Sequence, residues 1–123
     1  MLFVRGIRGA TTVEANEEQA ILDATIELLQ QIVEVNHIHP EDICHVWITV
    51  THDLNATFPA SAIRKMKGWE LVPLMCSLEI DVAGALEKCI RFMVTVNTEK
   101  GQKDIEHIYL NEAKRLRPDL SNS

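Results

Sequence analysis

The chemistry legible in this chain lies in its arginines. Arg8, Arg64, Arg91 and Arg117 fall in or beside strand-like segments and in the tail, accompanied by Glu79, Tyr109 and Phe58. A guanidinium fork grips a carboxylate with two parallel hydrogen bonds. Several forks with one carboxylate and aromatic walls suit a small polycarboxylate that also carries a hydroxyl. Arg91 is the sharpest case. It interrupts Cys89-Ile90-Arg91-Phe92-Met93-Val94-Thr95-Val96-Asn97, where a charge is unfavourable unless a partner meets it. Glu79 and Cys76, at the end of the preceding strand, are the nearest candidates. Two readings stand: a structural ion pair, or a binding site for something anionic.

The common catalytic sets are thin. No serine lies in a nucleophile elbow and no phosphate loop is present. Cys76 as nucleophile and His107 as base is a pairing that nothing local supports, and a buried cysteine is usually inert. His37 and His39 flank Ile38 without a third ligand at helpful spacing, which reads as loop histidine; no metal and no cofactor are expected. The net charge of −6 argues against nucleic acid. Between Gly9 and Ile63 there are nine acidic residues and no Lys or Arg, so the cations are kept in a few places. Three cysteines without a CxxC pair favour reduced thiols and a cytoplasmic protein. No run approaches the ~18 apolar residues of a membrane span, and Arg5 cuts the opening Met1-Leu2-Phe3-Val4 too short for a signal peptide.

Elements must hold these residues in place. Phe3 to Thr12 reads as a first strand, with Arg5 exposed and Arg8 on the other face; Gly6 and Gly9 beside them let a backbone or ligand come close. Asn16 is expected to cap a helix with Gln19 completing a capping box. Its apolar stripe is Ile21/Leu22, Thr25, Leu28/Leu29, Ile32 and Val35, and it ends near Asn36 before Pro40. A turn at 40–42, a strand over 43–51, a loop over 52–58 and a short helix from Ala60 to Met66, stopped by Gly68, follow. Trp69 onward reads as a strand ending at Glu79. The strand of Arg91 puts Ile90, Phe92, Val94 and Val96 on one face and Cys89, Arg91, Met93, Thr95 and Asn97 on the other. Residues 104–110 read as a last strand with Ile105, His107 and Tyr109 on one face, followed by a helical turn and a tail. One domain over 1–123 results, of α/β (α+β) class: a mixed sheet with one long helix and short helices on one face. Its other face is left to be buried in an oligomer.

In order and at family spacing, these segments resemble the monofunctional trimeric class of chorismate mutase, the pseudo-α/β-barrel type. The likeness is carried by Arg5-Gly6-Ile7-Arg8-Gly9-Ala10-Thr11-Thr12-Val13-Glu14, Asp53-Leu54, Phe58-Pro59-Ala60, Gly68-Trp69, Cys76, Glu79 and Asp81-Val82. Lys88-Cys89-Ile90-Arg91, Tyr109-Leu110 and Leu116-Arg117-Pro118-Asp119-Leu120 complete it. The resemblance implies rearrangement of chorismate to prephenate at sites between subunits of a homotrimer, with no cofactor. It implies that Arg91 sits beside the ether oxygen of the breaking bond and that Glu79 accepts the ring hydroxyl. Arg8 and Tyr109 would hold a carboxylate, and Cys76 would line the site. Phe58 and Arg64 would contact substrate from the neighbouring subunit; Ala60 and Leu116 would also bind it, and Arg117 would reach it from a tail, 111–123, that closes over the site. The family can carry a lysine where this chain has Ser61, and Lys65 is one helical turn away. Imine deaminases of the same trimeric fold match in architecture but not in these motifs. A trimeric sensor of an anionic metabolite would need the cations but not Glu79.

Overall fold

The computed structural model describes residues 1–119. Five strands, β1 (Phe3–Thr12), β2 (Ile43–Val50), β3 (Leu74–Leu78), β4 (Cys89–Thr98) and β5 (Ile108–Tyr109), form one sheet in the order β3-β2-β4-β1-β5. β4 runs antiparallel to β1 and β2, whereas β3 and β5 join their neighbours in parallel, so the sheet is mixed as expected. Helix α1 (Glu18–Asn36) and the short α2 (Ala60–Arg64) pack together, with 3-10 turns at 40–42, 102–104 and 111–115.

The alternation in β4 decides what faces what. Ile90, Phe92, Val94 and Val96 are buried with Ile7, Val46 and Ile48 beneath Ile21, Leu28, Leu29 and Ile32 of α1. Each such side chain contributes about 1.5–3 kcal/mol on burial, so a one-residue register slip is strongly opposed. Gly9 lets the helix come this close: a Cβ there would lie 2.5 Å from Ile32 Cδ1. The close approach expected at this glycine is thus made by α1. The opposite face carries Trp47, Met75 and Met93, all substantially exposed.

Several expectations need correction. Asn16 does not cap α1; the N-cap is Glu17, without a side-chain bond, and Asn16 Oδ1 accepts the main-chain N–H of Asn55 and Ala56. Gln19 bonds Asp23, its neighbour one turn on. Val35 is exposed because Asn36, one position on, takes the last inward place. Arg5 is half-buried, donating to the Lys100 carbonyl at 3.0 Å and lying over the Phe3 ring. β3 begins only at Leu74, since residues 66–72 turn through bonds from Trp69 N–H to Met66 and from Val72 N–H to Trp69. α2 stops at Arg64, short of Met66. The last strand shrinks to two residues because the buried Asn36 amide occupies both peptide groups of Glu106, at 2.8 Å each. Ile105 consequently faces the main core while Tyr109 joins Ala10 and Ala113 in a separate cluster, so alternation fails across this segment.

Candidate functional site

Strand register assembles a row of side chains across the open face. Ser77 pairs with Thr49, Thr49 with Arg91, Arg91 with Ala10, and Ala10 with Tyr109. Side chains two residues apart share a face, so a second row, Met75, Trp47, Met93 and Arg8, runs alongside. Ala10 is the small member of the first row, and Arg91 and Tyr109 flank it.

Glu79 follows β3 directly and its N–H donates to the Val50 carbonyl at 2.9 Å, which fixes its backbone. One carboxylate oxygen accepts the Thr49 hydroxyl and the other lies 3.5 Å from Arg91 Nη1. The Glu79 side chain is 23% exposed and that of Arg91 44%. The pair therefore lies at a surface, with most of the guanidinium's five donors available. Trp47, Thr49, Phe92 and Met93 join it around an open cleft of about 280 Å³. Ligand pockets usually span about 300–1,000 Å³, so this cleft is small and lacks a roof.

Behind the site, the carboxylate of Asp53 accepts the Lys88 N–H and the Thr51 hydroxyl, and Thr51 Oγ1 accepts the Cys89 N–H. These bonds fix the start of β4 two residues before Arg91. Burial pushes the Asp53 carboxyl up, but the bonds from Thr51 and Lys88 outweigh it and hold it below the usual range. Burial raises the Cys89 thiol to about 11, so it stays protonated at neutral pH.

At the other end of the row, Tyr109 is buried among Ala10, Ala113, Leu86 and Leu116. Its hydroxyl has no hydrogen-bond partner among the described residues. A buried hydroxyl left unpaired is unfavourable by roughly 1–3 kcal/mol. Arg117, near it, donates from Nε and Nη2 to Asp119 at 3.1 and 2.8 Å, and those bonds raise its already high basicity. Arg8 lies half-buried on β1.

The structure thus brings Arg91, Glu79, Tyr109, Arg8 and Arg117 to one side of the sheet and its C-terminal border. Others it places elsewhere. Cys76 pairs in register with Ile48 and its side chain packs on the core side, away from the Glu79–Arg91 cleft. A Cys76–His107 pair is excluded, since they lie at opposite edges of the five-stranded sheet, four interstrand spacings or about 19 Å apart. Ala60 is buried in the core. Phe58 is 71% exposed, Arg64 and Lys65 are exposed and Ser61 is half-buried, and none lines the Glu79–Arg91 cleft. Of the tail, residues 120–123 lie outside the described residues. Thr49 and Ala10 are the site residues that sequence reasoning missed; only the pairing register singles them out. Among the described residues no group of three or more His, Cys, Asp or Glu is placed to hold a metal, and no helix is long and apolar enough to cross a membrane.

Comparison with known proteins bears on the family of the chain. Residues 4–120 match the family described as chorismate mutase type I. The chain is 51% identical over 120 residues to the chorismate mutase AroH of Bacillus subtilis, covering 98% of this chain and 94% of that protein. It is 46% identical over 122 residues to the chorismate mutase AroH of Thermus thermophilus, covering 98% and 99%. A solved chorismate mutase from Clostridium thermocellum superposes with a TM-score of 0.87 at 53% identity, over 89% of this chain and 97% of that one.

Proposed function

This chain belongs to the type I chorismate mutase family, and from that premise we propose that it converts chorismate to prephenate at the Arg91–Glu79 cleft. The reaction is an intramolecular [3,3] rearrangement: one C–O bond breaks as one C–C bond forms, and no proton or electron leaves the molecule. Nucleophile, base and metal are not required. The barrier falls when the site binds the compact chair-like conformer, a proximity effect. It falls further when a fixed cation meets the ether oxygen as that atom gains negative charge.

The observation that carries this reading is the half-exposed Arg91 guanidinium, steadied by Glu79 and aimed into the cleft with donors to spare. Arg91 stabilises the ether oxygen. Glu79, oriented by Thr49, accepts the ring hydroxyl. Tyr109 and Arg8 take a carboxylate, and Arg117 with Leu116 closes from the tail after exchanging Asp119 for substrate.

Two features support a homotrimer with its sites between subunits. The cleft is small and roofless, and the sheet face that bears it exposes Trp47, Met75 and Met93. Phe58 and Arg64, exposed and away from this cleft, serve a neighbour's site, with Ala60 supporting them from the core.

Loss of chorismate absorbance tests the reading, with Arg91→Ala beside the wild type. By analogy with an oxyanion-hole donor, the variant loses roughly 10²–10³-fold in kcat and much less in binding. No wild-type turnover by a folded protein, or a variant that weakens binding with kcat preserved, refutes it.

A further inference from the structure

His107 has no part in the chemistry above, yet it is tied directly to one of the substrate-gripping cations. The two-residue pairing of β5 with β1 ends at Gly9, and the next N–H along β1, that of Arg8, donates to His107 Nδ1 at 2.8 Å. A side-chain nitrogen stands where a strand carbonyl would otherwise accept. The imidazole is itself held from behind, because both peptide groups of Glu106 are taken by the fully buried Asn36 amide. A continuous line of bonds therefore runs from the end of α1 through 106–107 to the main chain of Arg8. We propose that His107 is a positioning residue for substrate capture: its neutral imidazole pins Arg8 in its carboxylate-gripping pose, and protonation releases it.

The chemistry allows only one charge state. To accept from Arg8, Nδ1 must be unprotonated, so the ring is neutral with its proton on Nε2. Burial lowers the basicity of His107, and the guanidinium groups of Arg8 and Arg117 lower it further; Glu106 opposes them. Arg5 and Lys103 line the same cleft of about 570 Å³ and add positive charge on that side. At neutral pH the pinning bond is intact. In acid the imidazolium has no lone pair at Nδ1 and faces Arg8 and Arg117 as a third cation. This inference rests on Arg8 gripping a substrate carboxylate, as proposed above.

The test compares wild type, His107→Asn and His107→Leu in the full-length protein from about pH 5 to 8. Asparagine places an acceptor oxygen near the Nδ1 position and does not titrate, whereas leucine removes the acceptor. In the wild type, KM for chorismate rises in acid while kcat changes little, the pattern of lost uniform binding. His107→Leu raises KM roughly tenfold at neutral pH, in line with one lost hydrogen bond to a binding residue. His107→Asn keeps the neutral KM within about threefold and loses the acid rise. An unchanged KM in His107→Leu, or an acid rise that persists in His107→Asn, overturns the proposal and leaves the mutase reading standing. Should His107→Leu fail to fold, the asparagine profile decides alone. Absence of wild-type turnover overturns the mutase reading instead. The bond itself is then read by NMR: the Arg8 amide resonance titrates with the His107 ring, and a resonance that does not follow the ring refutes the pinning.

Discussion

Thr49→Val isolates the bond that orients Glu79. Valine keeps the shape and β-branching of threonine, so the strand, its pairing with Ser77 and Arg91, and the core beneath are unaffected. Only the hydroxyl that Glu79 accepts is lost. A hydrogen bond to a charged acceptor contributes about 1.5–3 kcal/mol. The Glu79 side chain is 23% exposed, and water partly replaces the lost donor, which places the effect near the lower figure. About 1.5 kcal/mol corresponds to roughly a tenfold loss in kcat/KM. The assay is steady-state chorismate turnover for wild type, Thr49→Val, Glu79→Ala and the double variant, with thermal melts as the folding control. If Thr49 acts through Glu79, its substitution changes kcat/KM less than about twofold once Glu79 is alanine. The reasoning fails if Thr49→Val is silent in the wild type, or if it costs about the same tenfold in the Glu79→Ala background.

Further outcomes concern the scaffold. Gly9→Ala presses its methyl onto Ile32 Cδ1; because that atom ends a flexible side chain, the effect sits near the low end for overpacking, about 1 kcal/mol, and lowers Tm by about 4 °C. Adding Ile32→Val removes the offending carbon, and calorimetry that shows no recovery contradicts the proposed contact. Asp53 titrates below its ordinary value in the fold, so its contribution is present above about pH 4 and is lost as pH falls further through the folded value. Asp53→Asn therefore lowers the neutral-pH Tm and flattens its decline in acid; a parallel acid decline in both proteins sinks the assignment.

How much of this was legible in the sequence varied with the physical origin of each feature. β1 and β4 kept their expected bounds to within a residue or so because strict alternation leaves one workable register. Arg91 and Glu79 were found together because an arginine in an apolar strand demands a partner. The ends of elements were hidden because their causes are tertiary. Nothing near Asn36 announces that its amide will hold Glu106, 70 residues on, and so shorten β5. Nothing near Asn16 tells that its side chain will serve the loop at 55–56 instead of α1. Cys76 looked like a site residue by neighbourhood, but parity along β3 turns its side chain to the core. Thr49 and Ala10 gave no signal of their own, because which residues oppose Arg91 across two strands depends on a register that composition does not encode.

The place of β1 between β4 and β5 also governs how the chain comes to be folded. Its neighbours in the sheet are the last two strands to be synthesised; Arg8 and His107, which touch, are separated by 99 positions. Loops of this length close with an entropic penalty that no local contact offsets beforehand, and such pairings slow folding. While the chain is being made, β2 and β3 can pair with each other, and α1 can pack on β1, before β1 has any strand beside it. The arginine-bearing strand remains an unpaired edge until nearly the whole polypeptide has left the ribosome. A chain that stops before β4 carries Arg8 without Arg91, Tyr109 or His107 to meet it.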